Sequence, residues 1–211
     1  ISRICAMATL DAVLAGARST QVAGSVDPNA IAQMREITHE ALRIEIETPH
    51  TYKESVDLFR IGSREVAANP DGIDFTGPMF EAMALTGTFT REIALDRESM
   101  AYDQGLAAVM ENVDTAMGHL WQVTPGNTRA DQIAAGRDWL RLNLAATGLG
   151  LGMQPLSQGL QEYPEMADIY SDLHARLAPG GGTVQMLARI GYGPEVSQSP
   201  RWPIESKIVN A

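Results

Sequence analysis

The chain is poor in cysteine, histidine and positive charge: one Cys, four His, and 16 Lys and Arg against 26 Asp and Glu in 211 residues. Each shortage excludes something. Cys5 alone can neither close an internal disulfide nor build a cysteine zinc site, so a disulfide scaffold and a zinc finger both fall away, and this sparing use of cysteine points to a reducing, cytoplasmic compartment. A formal charge of −10, with no local cluster of Lys and Arg to offset it, repels a polyphosphate backbone and argues against a nucleic-acid partner. No apolar run approaches the roughly 18 residues of a membrane helix, so no membrane partner is expected. Residues 4–17 have the apolar character of an export signal, but Asp11 interrupts them and the apolar positions share a helix face. His39, His50, His119 and His174 are far apart with no two at metal-ligand spacing, so no metal is expected. There is no Gly-x-Ser-x-Gly elbow, and Glu45 and Glu47, two apart on a helix, do not face each other.

What is present is ordinary globular material. Hydrophobic residues make up 45% and charged residues 20% of the chain, enough for one large domain or two small ones. The chain opens on Ile1 rather than Met, which suggests a processed form or a piece of something longer.

Hydrophobic periodicity predicts a helix over residues 1–17, a polar stretch at 19–25, and a second helix entered at Asp27-Pro28 and ended before Pro49. Short helices follow at 51–60 and 63–68, with Pro70-Asp71-Gly72 as a turn. Residues 78–86 and 99–115 are helical in pattern, while 87–98 show no firm period. A short strand is expected at 120–123. A long helix over 130–147, capped by Thr128, is expected to bury Ile133, Ala134, Arg137, Leu140, Leu144 and Ala145. Arg137 and Arg141 share one of its faces and require carboxylates such as Asp131 or Asp138. Gly148, Gly150 and Gly152 follow a helix and precede a strand, the reverse of a dinucleotide fingerprint, and so fit a helix C-cap and close packing. Residues 153–156 are extended, 163–177 helical, 183–190 a strand, and 191–203 an extended tail. The ten methionines are expected mainly as core filler.

The last third carries a more specific signal. Gly136-Arg137-Asp138-Trp139-Leu140-Arg141-Leu142-Asn143-Leu144 leads through Gly148-Leu149-Gly150 to Gln154-Pro155-Leu156-Ser157-Gln158. After one helix come Val184-Gln185-Met186-Leu187-Ala188-Arg189-Ile190-Gly191-Tyr192-Gly193 and Ser199-Pro200-Arg201-Trp202-Pro203. This order resembles the C-terminal half of the nitroreductase-like FMN flavoproteins. It is most similar to their Acg-type branch, in which Pro-Leu-Ser-Gln, Gln-Glu-Tyr-Pro-Glu-Met, Ile-Gly-Tyr-Gly and Ser-Pro-Arg recur in sequence. Glu45 through Arg60-Ile61-Gly62 to Pro70-Asp71-Gly72-Ile73 resembles that branch as well, so the likeness runs from about Ile37 onward.

The resemblance implies an α+β fold, helix-rich around a small mixed sheet, with residues 1–211 as one unit of a homodimer or of a fused pseudo-dimer with an upstream unit. Residues 1–26 would then be a helix and linker, and 72–98 an insert or lid. The implied cofactor is FMN, with Pro155, Leu156, Ser157 and Gln158 forming the turn against the flavin N5. Arg201 would pair with the FMN phosphate, with Ser199 adding a hydroxyl. The implied reaction is hydride transfer from NAD(P)H to a small-molecule acceptor, a nitro compound or quinone, with no catalytic side chain of the protein's own. The family's Arg-rich phosphate-binding segment is not found in this sequence, so the resemblance implies that it lies upstream. That departure keeps two alternatives open, a protein that sequesters FMN without turnover and a structural half that completes a partner's site. By residue type alone, Ser157 and Gln158 also fit a helix cap, and Arg201 an exposed salt bridge.

Overall fold

The computed structural model describes residues 3–195 and 198–208. The first two residues of the helix expected over 1–17, and two of the extended tail over 191–203, lie outside the described residues. The elements in chain order are α1 (Met7–Leu14), β1 (Gln21–Ser25), α2 (Pro28–Glu47), α3 (Pro49–Asp57), β2 (Phe59–Ile61), α4 (Ser63–Ala68), β3 (Ile73–Phe75) and α5 (Pro78–Thr86). They continue with α6 (Arg91–Leu95), α7 (Met100–Asp114), β4 (His119–Thr124), α8 (Arg129–Gly148), β5 (Gly152–Pro155), α9 (Ala167–Leu177) and β6 (Thr183–Gly191).

Contacts divide the chain into two units. Ile1–Glu45 with Val109–Pro194 make a sheet unit, and Ile46–Ala108 with Glu195–Ala211 a helical unit. Residues 1–26 thus belong to the first unit and 72–98 to the second.

The sheet unit is built on four antiparallel strands in the order β1-β4-β6-β5. Leu10 and Val13 of α1, Leu120 of β4, Leu142 and Ala146 of α8, and Ala188 and Ile190 of β6 form its core. α1 begins at Met7 instead of nearer the N-terminus because Arg3 bridges Tyr192 in extended conformation. The expected polar loop at 19–25 contains β1. Gly24 is needed there, since a Cβ would meet the His119 carbonyl at 2.8 Å and Leu10 Cδ2 at 3.0 Å.

The predicted inward face of α8 is corrected by the structure. Ile133, Leu140 and Leu144 are 46%, 59% and 63% exposed, and Arg137 is exposed as well. The buried positions are Ala135, Asp138, Leu142 and Ala146. The cause is Asp138, whose Oδ2 accepts the backbone N–H groups of Arg18 (3.0 Å), Ser19 (2.7 Å) and Thr20 (2.9 Å) and the Thr20 hydroxyl (3.0 Å). Arg141 donates to its Oδ1 at 2.6 Å. A buried carboxylate with five donors fixes the rotation of the helix, and the positions three before and four and eight after it follow it inward. The Thr128 cap is as expected, reinforced by a reciprocal bond from the Thr128 N–H to Asp131. At the other end Gly150 takes φ +72°. The Leu151 N–H reaches the Ala146 carbonyl at 2.9 Å and the Gly150 N–H that of Thr147 at 3.0 Å, the paired bonds of a left-handed helix stop.

In the helical unit, β2 and β3 form a two-stranded parallel ladder. The helix expected over 51–60 therefore ends at Asp57, and Phe59 and Arg60 are strand. Pairing with β3, which short-range periodicity does not register, overrides their helical pattern. Phe75 packs against Phe59, Phe80 and Phe89 at ring separations of 4.7, 5.1 and 5.3 Å. The aperiodic 87–98 stretch includes α6, capped by Thr90, whose hydroxyl accepts the Ile93 N–H at 3.2 Å. Methionines divide between roles. Met34 and Met166 are core, whereas Met79 and Met100 are 59% and 73% exposed, against the core-filler reading.

Candidate functional site

The Pro155–Gln158 turn lies at the end of the sheet's edge strand. β5 pairs with β6 as far as Pro155 opposite Ala188, and the Leu156 N–H carries the ladder one step further, donating to the Leu187 carbonyl at 2.8 Å. Leu156 is 4% exposed, so its side chain anchors the turn in the core. The chain then swings at Ser157 into a single 3₁₀ turn over Gln158–Leu160. Gly159 permits that swing, because a Cβ there would meet Leu173 Cδ1 at 2.5 Å and Ile169 Cγ2 at 3.1 Å. Ser157 does not act as a side-chain cap. Its carbonyl accepts the Leu160 N–H at 3.0 Å, and the Gln158 carbonyl accepts that of Gln161 at 3.1 Å. Among the described residues the amides of Ser157 and Gln158 and the exposed Ser157 hydroxyl find no protein acceptor. These are fixed donors at a rigid strand end.

Behind this turn lies a group of buried polar side chains that sequence reading did not assign to the site. Arg189 of β6, 6% exposed, donates to Gln154 Oε1 at 2.7 Å, to Asn112 Oδ1 at 2.9 Å and to the Asn112 carbonyl. No carboxylate neutralises it among the described residues, and burial lowers its pKa. His119 sits opposite it on β4. It is 1% exposed, with neither ring nitrogen hydrogen-bonded among the described residues. Burial first, then the charges of Arg35 and Arg189, push its pKa down to about 4. His119 is therefore a neutral interior group at physiological pH. No local pattern signalled that burial, because β4 is covered on both faces, with His119, Leu120 and Gln122 all buried, and nothing in the sequence announced the arginine across from it.

Ser199 and Arg201 lie in the helical unit, on an open groove of about 450 Å³ shared with Pro70, Asp71, Gly72 and Trp202. Asp74 and Lys207 also line it. The turn that forms one wall depends on Gly72, with φ +76°, where a Cβ would lie 2.3 Å from the Leu58 carbonyl. Asp71 joins the two walls. Its Oδ2 accepts the Trp202 indole N–H at 2.8 Å, and its Oδ1 accepts Arg60 Nη2 at 2.9 Å. Those two donors, the indole first, hold the Asp71 carboxyl below its usual range. Lys207 Nζ stands 4.3 Å from the Trp202 ring centroid. Arg201 is exposed and donates to its neighbouring Pro200 carbonyl at 2.8 Å. No carboxylate pairs with it among the described residues, so the bland salt-bridge reading does not describe it.

The six expected residues thus form two groups, Pro155, Leu156, Ser157 and Gln158 in the sheet unit and Ser199 and Arg201 in the helical unit. Among the described residues no group of three or more His, Cys, Asp or Glu is placed to hold a metal, and no helix is long and apolar enough to cross a membrane.

No family model and no curated protein matches the chain. Solved structures do. The FMN-dependent nitroreductase NfnB of Mycobacterium smegmatis, solved with NADPH, is 20% identical with a TM-score of 0.54 over 99% of this chain and 90% of its own. A nitroreductase-like family protein of Bacillus cereus is 13% identical with a TM-score of 0.51, over 100% of this chain and 88% of its own. An iodotyrosine deiodinase, solved with FMN and 3-iodo-L-tyrosine, is 15% identical with a TM-score of 0.51, over 100% and 90%. At these identities the likeness speaks for the fold. The chain has the nitroreductase-like α+β fold, helix-rich with a small sheet.

Proposed function

We propose that the protein binds FMN and is an oxidoreductase of the nitroreductase type, passing a hydride from NAD(P)H to an electron-poor acceptor such as a nitro compound or quinone. The observation that carries this reading is the strand-end turn, where two backbone N–H groups at Ser157 and Gln158 have no protein acceptor among the described residues, on a nitroreductase-like fold. A flavin needs such donors at N5. It also needs a cation at its phosphate, a task for which the helical unit offers Arg201, which has no carboxylate partner among the described residues and lines a groove with Ser199. The resemblance in the Pro-Leu-Ser-Gln and Ser-Pro-Arg segments assigns the same residues to the same tasks.

When bound, FMN supplies the redox chemistry, accepting and releasing two electrons as hydride. The protein's own residues bind and orient. Leu156 and Gly159 lock the turn so that the two amides point in fixed directions, which costs no reorganisation during reaction. Arg201 balances phosphate charge in a chain that is otherwise strongly acidic. In this reading two copies of the whole fold act together, as homodimer or fused pseudo-dimer, and the exposed Ile133, Leu140 and Leu144 of α8 are the apolar surface that the second copy would cover.

The test is a visible spectrum of the purified chain supplied with FMN, before and after NADPH without oxygen. Flavin absorbance that stays with the protein and bleaches supports the oxidoreductase. Absorbance that persists favours sequestration without turnover, and a chain that retains no flavin overturns the FMN reading.

A further inference from the structure

We propose that Asp71 is the positioning residue of the groove, clipping the Ser199–Trp202 segment to the Pro70–Gly72 turn so that Arg201 and Lys207 meet the phosphate monoester of a bound ligand. The clip spans a sequence separation of 131 residues, from Asp71 Oδ2 to Trp202 Nε1 at 2.8 Å. Its other oxygen is committed to Arg60, at 2.9 Å from Nη2 and 3.2 Å from Nε. Arg60 is itself steadied by the Phe59 carbonyl at 3.1 Å. The carboxylate is thus tied on one side to strand β2 and on the other to the indole.

The consequence for charge follows from this arrangement. Aspartates lining a groove would ordinarily repel a phosphate, and two line this one, Asp71 and Asp74; the Arg60 guanidinium offsets the charge of Asp71, so that Arg201 and Lys207 outnumber the one carboxylate left, Asp74. Arg201 lies next to Trp202 in sequence, and the Lys207 ammonium lies over the Trp202 ring. Fixing the indole therefore fixes the anchor from which both cations extend. Trp202 acts through its N–H and its face together. Gly72 sets the wall against which the clip closes. The ligand clause rests on the FMN reading above, whereas the clip itself rests on the hydrogen bonds alone. A phosphate monoester could belong to FMN or to the 2′-phosphate of NADPH, and the two sources are separable by experiment.

The experiment uses the full chain and its Asp71→Ala, Asp71→Asn, Trp202→Phe and Arg201→Ala variants. Trp202 emission, taken as the difference from Trp202→Phe, and its quenching by iodide report the clip. Affinities for FMN and riboflavin, and for NADPH and NADH, report the phosphate. Asp71→Ala should move Trp202 emission to the red, raise its quenching, and cut the preference for a phosphorylated ligand over its unphosphorylated counterpart by roughly three- to tenfold, the scale of one ordinary hydrogen bond, since Asp71 acts on the phosphate only through the cations it positions. Asp71→Asn keeps an acceptor for the indole and should restore most of the emission. Loss of the preference in the FMN–riboflavin pair identifies FMN as the source, and loss in the NADPH–NADH pair identifies the nicotinamide. Unchanged Trp202 emission in Asp71→Ala, or an unchanged preference beside a shifted emission, overturns the proposal. A wild type that binds flavin but prefers the phosphorylated ligand in neither pair overturns it while the flavin reading stands; a wild type that binds no flavin at all fells that reading first, and the ligand clause with it.

Discussion

In the sheet unit Leu10, Leu120, Leu142, Leu187 and Ile190 are fully buried, and a carboxylate is buried beside them with every donor it needs. In the helical unit Val56 alone of the large side chains is as fully buried among the described residues, while exposed apolar residues occur in both units, Leu144 at 63% in the sheet unit and Leu85 at 89% in the helical one. There, partly exposed ion pairs tie neighbouring elements, Arg91 to Glu65 at 2.7 Å and Arg60 to Asp71 at 2.9 Å. One unit is held by desolvated packing and the other relies more on bonds that water can replace. Substitutions should therefore cost most in the sheet unit, and the same chemical change should mean different things in the two.

The largest effects are expected around Asp138. Asp138→Ala strands three backbone N–H groups and the Arg141 guanidinium, and should cost about 3–5 kcal/mol. Leu142→Ala, one turn on, should cost about 2–5 kcal/mol for the lost burial and the cavity. Urea titration followed by circular dichroism measures both. A cost below about 1 kcal/mol for either would erase the contrast between the units.

Acid should act through the same unit. His119 stays neutral in the folded chain with its pKa at about 4, while the unfolded chain takes up the proton near pH 6.5. Between those values the unfolded state binds more protons, so stability is complete above about pH 6.5 and falls as pH drops toward 4, by up to about 3 kcal/mol. Replacing His119 by Leu should flatten this region of the stability profile. Asp138 differs in its window. Burial works to raise its pKa, but the Ser19 and Arg18 amides, Arg141 and Thr20 together hold it well below the usual carboxylate range. Its contribution is present above about pH 4 and is lost only as the solution becomes more acidic than that. Stability measured from pH 7 to pH 3 in wild type and in His119→Leu separates the two.

These residues also mark where sequence reading reached and where it stopped. The entry to α2 was legible because its signal is local: Asp27 Oδ1 accepts the amides of Asn29 and Ala30 at 3.0 and 2.9 Å, as an aspartate before Pro28 should. The Gly150 stop and the Thr128 cap were legible for the same reason. The rotation of α8 was not, since apolar residues occur on both of its faces and the choice depends on Asp138 meeting a loop 118 to 120 residues away. β2 and β3 were missed likewise, each being three residues long and defined by its pairing partner. Of the candidate site, the strand end before the Pro155–Gln158 turn was legible, since β5 closes at Pro155. The Asp71–Trp202 bond and the Arg189–His119 pairing join segments whose separation leaves no local pattern.

In the helical unit Glu65→Ala should cost about 1 kcal/mol. The carboxylate accepts the Ile61 N–H at 2.9 Å and Arg91 Nη2 at 2.7 Å, but its side chain is 41% exposed, so water takes over much of what is lost. Thermal unfolding at low and high salt checks this: the difference between Glu65→Ala and wild type should shrink as salt screens the pair. A loss as large as that of Asp138→Ala would mean that the helical unit, too, depends on a desolvated charge.

The smallest effect is expected two residues from one of the largest. Leu144 lies on the outer face of α8 and is 63% exposed, against 0% for Leu142. Leu144→Ser removes little buried area and leaves the helix intact apart from a modest propensity cost, so it should change stability by no more than about 0.5 kcal/mol at low protein concentration. The comparison of the two leucines isolates burial from residue type, since the native side chain is the same and only the rotation set by Asp138 differs. Repeating the measurement over a range of protein concentrations sharpens it further. A cost for Leu144→Ser that grows with concentration places the side chain against a second copy, because association stabilises the folded form by mass action. A cost that is large and independent of concentration would instead mean that α8 is turned the other way, with Ile133, Leu140 and Leu144 inward and Asp138 in water.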